Sequence, residues 1–313
     1  MKTIKLKYTD FWDHFDPKNN FITNVLSKKY HIEFSDTPDY LIFSIFGYEH
    51  LKFQNCIKIL YSGENITPDF NLCDYAIGFD HITFGDRYMR LPLYVSYDIE
   101  RLAKPKAIDP EKVLNRKFCS FVVSNGVSPE RNRFFKLLSE YKRVDSGGRF
   151  MNNIGGPVPD KEAFIKDYKF NIAFENSIYD GYTTEKLLEP MLMDSLPIYW
   201  GNKLVGLDFN PQSFINATDF PSLEAVVEYV VKLDTNDEDY LSKLSIPWLN
   251  KNNYLNWESQ FYDFFDNIFN KPKSEARYLT DYGRVRIYRQ RLNLFSTIDV
   301  IKRKLDDLRN RFR

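Results

Sequence analysis

The residues of this 313-residue chain that could most readily bind a ligand lie around one helix start in its second half. Thr183 or Thr184 can cap a helix that runs to about Asp194, which puts Glu185 and Lys186 in its first turn. A helix amino terminus carries unpaired N–H groups and a partial positive charge, so it suits a phosphate group. Lys186 adds a full positive charge, which is unfavourable at the positive end of the helix dipole unless an anion lies nearby. The alternative is a capped helix with a solvated Glu-Lys pair.

Two short strands flank this helix and would position its ligand groups. Phe170 to Phe174 has the apolar run of a buried strand, and Leu196 to Trp200 predicts a second one. Glu175 and Asn176 follow the first strand directly, and Tyr182 precedes the helix. Because ligands bind beyond the carboxyl ends of strands in open parallel sheets, these polar residues are candidates for contact with a ligand.

Composition indicates a globular protein with more than one domain. The chain is 43% hydrophobic with a formal net charge of zero, which argues against a general nucleic-acid binder. No histidine follows residue 81 and no cysteine follows residue 119, so an acid or base in the second half would be a carboxylate or a tyrosine. The three cysteines have no metal-site spacing and indicate reduced core residues in a cytosolic protein. No signal peptide or transmembrane segment is visible, which favours a cytoplasmic location.

Short apolar segments in the first half predict a Rossmann-like α/β domain. They are read as strands at Thr3 to Tyr8, His31 to Phe34, Tyr40 to Ile45, Cys56 to Tyr61 and Asp74 to Phe79, with a helix at Asn19 to Lys29. Two aromatic residues of this domain, Trp12 and Tyr61, are candidates for contact with a ligand. The alternative for Trp12 is packing in the core.

Three linked blocks in the central region strongly resemble the α-1,3/1,4-fucosyltransferases of glycosyltransferase family 10, the bacterial members in particular. The blocks are Phe174-Glu-Asn-Ser, Gly181-Tyr-Thr-Thr-Glu-Lys and Pro197-Ile-Tyr-Trp-Gly. Arg116-Lys-Phe-Cys-Ser-Phe-Val-Val-Ser-Asn125 with Arg131-Asn-Arg-Phe-Phe, and Tyr61-Ser-Gly-Glu-Asn65, extend the likeness over residues 55 to 220.

The resemblance implies an α/β protein of GT-B architecture, with two Rossmann-like domains facing each other across a cleft and C-terminal helices. We expect an acceptor-binding domain at residues 1–105, a GDP-fucose-binding domain at 115–270 and a basic amphipathic tail at 271–313. The segment 97–116, with little periodicity and two prolines, is the expected linker.

The resemblance also implies the reaction. An inverting enzyme would move L-fucose from GDP-β-L-fucose to an N-acetylglucosamine or glucose hydroxyl of a glycan, of the N-acetyllactosamine, Lewis or lipopolysaccharide type. Glu64 would be the general base beside the acceptor hydroxyl. Glu185 would either hold the ribose or stabilise the charge that develops on fucose.

The donor itself would be held by residues of the second domain. By the resemblance, Arg131 lies against its diphosphate. The remaining donor-binding candidates are Ser124, Asn125, Asn176, Tyr182, Glu185 and Lys186.

No obligatory cofactor or metal is expected. Many other glycosyltransferases hold Mn²⁺ with Asp-x-Asp, but the acidic run Asp234 to Asp239 lies between two predicted helices and reads as a solvated loop.

The last forty residues form a basic segment. Residues 274–313 hold eleven Lys or Arg against five Asp or Glu, an excess of six positive charges. The apolar residues Ile298, Ile301, Leu305, Leu308 and Phe312 make one helical stripe. Three interpretations remain open: a helix packed on the body, a dimer coil through 296–313, or peripheral contact with the inner face of the cytoplasmic membrane.

Two other functions remain open. The chain could be a GT-B glycosyltransferase that uses a different sugar nucleotide, which donor competition would distinguish. It could instead be a non-catalytic glycan-binding protein, which would bind donor without turnover.

Overall fold

A computed structural model describes residues 1–250 and 256–311 of the chain, with the side chains described up to residue 298. The chain divides into two compact units. The first comprises Met1–Gly78, Ile82–Leu91 and Trp257–Arg313, and the second comprises Phe79–His81 and Pro92–Asn256.

Eleven strands are found in the described residues, all in two parallel sheets. They are β1 (Thr3–Thr9), β2 (His31–Phe34), β3 (Tyr40–Phe43), β4 (Ile57–Tyr61), β5 (Tyr75–Gly78), β6 (Tyr88–Arg90), β7 (Lys117–Phe121), β8 (Val144–Ser146), β9 (Tyr168–Phe174), β10 (Leu196–Trp200) and β11 (Ile215–Asn216). The first unit holds a six-stranded sheet in the order β2-β1-β3-β4-β5-β6, and the second a five-stranded sheet in the order β11-β10-β9-β7-β8.

The α-helices of the described residues connect and cover these strands. They are α1 (Phe21–Leu26), α2 (Ile99–Leu102), α3 (Pro110–Leu114), α4 (Pro129–Tyr141), α5 (Lys161–Lys166), α6 (Glu185–Leu192), α7 (Leu223–Thr235), α8 (Asp237–Leu244), α9 (Trp257–Asn270), α10 (Lys273–Ala276) and α11 (Gly283–Arg311). The expected α/β class with two parallel, Rossmann-like sheets and C-terminal helices is therefore confirmed, and it is consistent with GT-B architecture.

The aromatic face of α9 packs in the first unit. Phe261, Phe265 and Phe269 are buried, and the ring of Phe269 lies 4.5 Å from that of Tyr40 between centroids. The expected domain range 115–270 therefore differs from the observed unit, because the rings of α9 meet strands and helices from the start of the chain. The three- and four-residue spacing of Tyr254, Trp257, Phe261, Phe265 and Phe269 predicts such a helical packing face, and Tyr254 lies outside the described residues.

Three local expectations were wrong. The segment 97–116 is no plain linker, because it contains α2 and α3. The sequence Asp145-Ser-Gly-Gly-Arg149 predicts a glycine-rich loop, but Asp145 and Ser146 belong to β8, which pairs with β7. The acidic run is not a solvated loop, because Asp234 lies in α7 with a buried carboxylate that pairs with Lys142 and Lys169, and α8 begins at Asp237.

The basic tail is helical, as expected, in α11. Ile298 is exposed, and the rest of the predicted stripe, Ile301, Leu305, Leu308 and Phe312, lies outside the described side chains. None of the described helices combines the length and the apolar character that crossing a lipid bilayer requires. Packing on the body, dimerisation and membrane contact through 296–313 remain open predictions.

Candidate functional site

The second sheet has its topological switch point between β7 and β9. The strand after β7 in sequence, β8, lies on one side of β7, and the next strand, β9, lies on the other side. In parallel α/β sheets ligands bind at such a point, beyond the carboxyl ends of the strands. Asn125 follows β7 and Asn176 follows β9, so both predicted donor residues lie at this point. The sheet thus brings together residues that are about fifty positions apart in sequence.

The guanidinium of Arg131 joins the two strand ends. Arg131 lies in the first turn of α4, which Ser128 caps, and is fully buried. Its Nη1 donates to Asn176 Oδ1 at 2.8 Å, and its Nη2 donates to the Asn125 carbonyl oxygen at 2.9 Å and to Asn125 Oδ1 at 3.1 Å. Its Nε is buried and has no hydrogen-bond partner among the described residues. Burial lowers the pKa of Arg131, although the charge of Glu175 opposes this.

A buried carboxylate fixes the start of α6. Glu175 is fully buried directly after β9. Its Oε1 accepts from the Thr184 backbone N–H at 2.8 Å, and its Oε2 accepts from the Thr184 hydroxyl at 2.8 Å. Lys186 Nζ lies 3.3 Å from Glu175 Oε2 and 3.2 Å from Glu185 Oε1. The predicted first turn of α6 is therefore tied to the end of the neighbouring strand.

The three charges of this cluster shift one another's pKa values. Burial raises the pKa of Glu175, against the effect of Lys186. Burial also acts to raise the pKa of Glu185, but Lys186 and Lys161 outweigh it and lower that pKa. Burial acts to lower the pKa of Lys186, but the two carboxylates raise it, so the ammonium stays charged. Lys186 is thus paired with two carboxylates of the protein itself. Its position at a helix amino terminus therefore does not by itself require an anion from a ligand.

The loop before α6 is held by Asn202, a residue that the sequence reasoning did not select although it directly follows the block Pro197-Ile-Tyr-Trp-Gly. Asn202 Oδ1 accepts from the Gly181 and Leu204 backbone N–H groups at 2.7 and 2.8 Å, and its Nδ2 donates to Thr183 Oγ1 at 3.0 Å. Gly181 has a φ of +91°, and a Cβ there would lie 2.7 Å from the Phe79 carbonyl oxygen. The loop conformation therefore requires glycine.

The remaining donor candidates differ in exposure. Tyr182 is buried, and its ring centroid lies 5.1 Å from that of Phe79, which fits support of the loop. Ser124 and Asn125 are exposed beyond β7, while Glu185 and Lys186 are half-buried. The side chains with partial access at this edge therefore include Asn176, Glu185, Lys186 and the residues after β7.

The first unit presents a second set of residues at the carboxyl edge of its own sheet. Trp12 follows β1 and Phe46 follows β3, on either side of the switch point in that sheet, with ring centroids 6.3 Å apart. Trp12 is 50% exposed, so it is not a core residue. Glu64 is exposed after β4. Tyr61 is buried and stacks on Phe11 at 6.2 Å, and burial raises its pKa to about 12, so it supports the aromatic cluster from beneath.

The described residues contain no group of three or more His, Cys, Asp or Glu side chains that could hold a metal ion. The expectation that no metal is required remains a prediction, because the reaction itself is what tests it.

Comparisons with known proteins agree across the chain. The N-terminal domain model of the alpha-(1,3)-fucosyltransferase FucT matches residues 6–97, and the C-terminal model of glycosyltransferase family 10 (fucosyltransferase) matches residues 113–270. The alpha-(1,3)-fucosyltransferase FucT of Helicobacter pylori is 34% identical over 303 residues, which cover 83% of this chain and 62% of that protein. The chain therefore spans less than two thirds of that relative.

Solved structures give the same result. A crystal structure of an α1,3-fucosyltransferase with GDP-fucose superposes with a TM-score of 0.76 at 30% identity, covering 87% of this chain and 92% of the other. A crystal structure of an α1,3-fucosyltransferase with GDP gives a TM-score of 0.75 at 31% identity, covering 86% and 91%. Because the two family models together match most of the sequence and the fold matches as well, the chain belongs to glycosyltransferase family 10, the fucosyltransferase family.

Proposed function

We propose that this protein is an inverting α-1,3-fucosyltransferase that moves L-fucose from GDP-β-L-fucose to a hydroxyl of N-acetylglucosamine or glucose in a glycan. The observation that carries the proposal is the pair of cations, Arg131 and Lys186, held at the carboxyl edge of the second sheet. The ligands of two similar crystal structures, GDP-fucose and GDP, support a guanosine diphosphate sugar as donor.

The donor diphosphate is the group that the second unit is suited to bind. The amino terminus of α6 has a partial positive charge, and Lys186 lies in its first turn. The buried Nε–H of Arg131 is a further donor. These charges stabilise the negative charge that GDP gains as the bond to fucose breaks, which a preorganised site can do without metal.

The remaining donor residues have positioning roles in this proposal. Asn176 and Asn125 hold the Arg131 guanidinium in place. Glu185 accepts a hydrogen bond from the ribose or faces the developing charge on fucose. Tyr182 fixes the loop before α6, and Ser124 lies exposed beyond β7 beside Asn125.

The acceptor hydroxyl needs a base, because inversion requires attack from the face opposite the leaving group. We assign this role to Glu64, whose exposed position after β4 leaves it accessible to a sugar hydroxyl. The half-exposed ring of Trp12 is suited to stacking on a sugar face, and Tyr61 holds the neighbouring Phe11 in position. N-acetyllactosamine, Lewis-type precursors and lipopolysaccharide glycans are the proposed acceptors.

Product analysis tests this proposal. Incubation with GDP-fucose and N-acetyllactosamine in EDTA should give one fucosylated product, with an α-anomeric signal by NMR and the linkage at O3 of N-acetylglucosamine. A β-linked product would overturn inversion. Product formation only after addition of Mn²⁺ or Mg²⁺ would overturn metal independence.

A further inference from the structure

A cavity of about 370 Å³ lies in the first unit, apart from the edges described above. It is formed where α11 meets the segment after β3. Its polar lining includes Gln54, Arg286, Arg289, Gln290 and Asn293. Each of these five side chains can donate more than one hydrogen bond from an amide or guanidinium group, and Asp281 adds one carboxylate to the lining. The lining therefore favours a ligand that accepts hydrogen bonds.

Arg289 is the distinctive residue of this cavity. It is only 8% exposed, and its Nη1 pairs with Asp281 Oδ1 at 3.0 Å. Its Nε and Nη2 are buried, and neither has a hydrogen-bond partner among the residues that the structure describes. A buried N–H group without a partner costs about 1–3 kcal/mol, and more when it is charged, so both groups favour an added acceptor.

The geometry of arginine decides which acceptor fits. Nε–H and one N–H of Nη2 point in parallel from the same edge of the guanidinium plane. This edge forms a fork that matches two oxygens of one phosphate or carboxylate. Asp281 occupies the other side through Nη1, so the whole fork remains for a ligand.

Charge around the cavity favours an anion. Arg286 lines it beside Arg289. Burial lowers the pKa of Lys58 to about 8. The charges of Arg289 and Arg277 act in the same direction and the Asp74 carboxylate opposes them, so Lys58 lies within electrostatic reach of both arginines. The carboxylate of Asp281 contacts Arg277 and Arg289. A doubly charged oxyanion would compensate this excess better than a singly charged one.

We propose that Arg289 and Arg286 form a site for a phosphoryl oxyanion, either free phosphate or the phosphomonoester headgroup of a lipid. The fork of Arg289 holds two oxygens, and Arg286 contributes the second guanidinium. Arg286 and Gln290 are exposed. Because long exposed side chains change rotamer within nanoseconds, they can open the path to the buried fork.

Calorimetric titration of the full chain with inorganic phosphate tests this site, at an ionic strength held constant with chloride and in the presence of saturating GDP. The key variant is Arg289→Lys, which keeps the charge and removes the fork. It should bind phosphate about tenfold more weakly or worse. Arg286→Gln, at an exposed position, should weaken binding about threefold and covers the case in which Arg289→Lys fails to fold.

The control is Arg284→Gln, an exposed arginine of the same helix outside the cavity lining, which should bind phosphate like the wild type. Co-sedimentation with phosphatidylcholine vesicles, with and without phosphatidic acid, identifies the source. If Arg289→Lys weakens binding to the phosphatidic acid vesicles, the ligand is the lipid headgroup. If Arg289→Lys weakens only the binding of inorganic phosphate, the ligand is the free ion. Equal phosphate and vesicle binding by wild type, Arg289→Lys and Arg286→Gln, or no binding by the wild type in either assay, would overturn the proposal.

Discussion

Glu175 shows how one residue sets the electrostatics of the proposed donor site. Its carboxylate is fully buried and accepts hydrogen bonds from Thr184 while pairing with Lys186. Removing one partner from a buried ion pair leaves the other charge uncompensated, which is why such pairs are costly to break. Lys186, the lysine assigned to the donor in our proposal, is therefore held in place and kept protonated by Glu175 at the end of β9.

Removal of the Lys186 ammonium should weaken GDP binding. In Lys186→Ala the amino terminus of α6 keeps its N–H groups but faces the carboxylates of Glu175 and Glu185 without a cation. We expect at least about a tenfold loss in GDP affinity by calorimetry, since a charge-assisted contact to phosphate is worth about 1.5–3 kcal/mol.

Lys203→Ala, at an exposed position of the same unit, is the matched control and should bind GDP normally. Arg131→Ala should also weaken GDP binding. Unchanged GDP affinity in both Lys186→Ala and Arg131→Ala would remove the two residues from the donor site.

Substitution of Glu64 separates catalysis from donor binding. Glu64→Gln should leave GDP-fucose affinity unchanged and reduce the transfer rate by about 10²–10⁴-fold, because a glutamine cannot take the proton of the acceptor hydroxyl. Glu49→Gln, another exposed glutamate of the first unit, is the control. Wild-type turnover in Glu64→Gln would falsify the assignment of the base.

At the scale of elements, the loop before α6 depends on the side chain of Asn202. In Asn202→Ala the Gly181 and Leu204 N–H groups lose their acceptor, and Thr183 loses a donor. We expect a loss of about 2–4 kcal/mol in the free energy of unfolding, together with weaker GDP-fucose binding. Urea unfolding and calorimetry measure the two effects, and Asn210→Ala, in a half-buried turn of the same unit, is the control. Unchanged stability and affinity would contradict the role of this loop.

Lys106, in the segment between α2 and α3, gives the second unit a pH-dependent stability. Burial lowers the pKa of Lys106 to about 7 from an ordinary value of 10.5, and its Nζ donates to the Leu244 carbonyl oxygen at 2.6 Å. Between these two pH values the unfolded chain binds a proton that the folded chain does not, so stability should rise with pH across this window.

Lys106→Met should lack this pH dependence. The free energy of unfolding of the variant minus that of the wild type should be greatest near pH 7. This difference should become smaller as the pH approaches 10.5, because the wild type gains stability across this window. Urea unfolding at several pH values measures this difference, with the exposed Lys104→Met as control. A difference between wild type and Lys106→Met that stays constant with pH would contradict the lowered pKa.

Local signals allowed the central elements to be predicted from sequence. The sequence predicts a helix from Pro129 to Tyr141, and α4 has these bounds. Pro129 and the preceding Ser128 mark its start, and its apolar spacing is helical. The sequence also predicted β9, β10 and the Thr184 cap of α6, which depend on short apolar runs and one hydroxyl.

Elements defined by distant partners were missed. The three-residue strands β6 and β8 exist because they pair with β5 and β7. The buried pairing of Asp234 with Lys142 and Lys169 likewise joins segments far apart in sequence. For the same reason the sequence indicated Arg131 as a donor residue by resemblance, while its contacts with Asn125 and Asn176 required the assembled sheet.

At the scale of the whole molecule, each unit has its own parallel sheet and its own polar edge. The edge of the second unit carries cations suited to a diphosphate, and that of the first carries Glu64 and exposed aromatic rings. This division of chemistry is the basis of the proposed transfer, with donor groups on one unit and acceptor groups on the other.

The most direct test is GDP release from GDP-fucose in the presence of N-acetyllactosamine and EDTA, with GDP-mannose as the control donor. We predict acceptor-dependent release from GDP-fucose alone, unaffected by EDTA. Release from GDP-mannose at an equal rate, or no release from GDP-fucose with any of the proposed acceptor glycans, would contradict the assignment of this chain as a GDP-fucose-dependent fucosyltransferase.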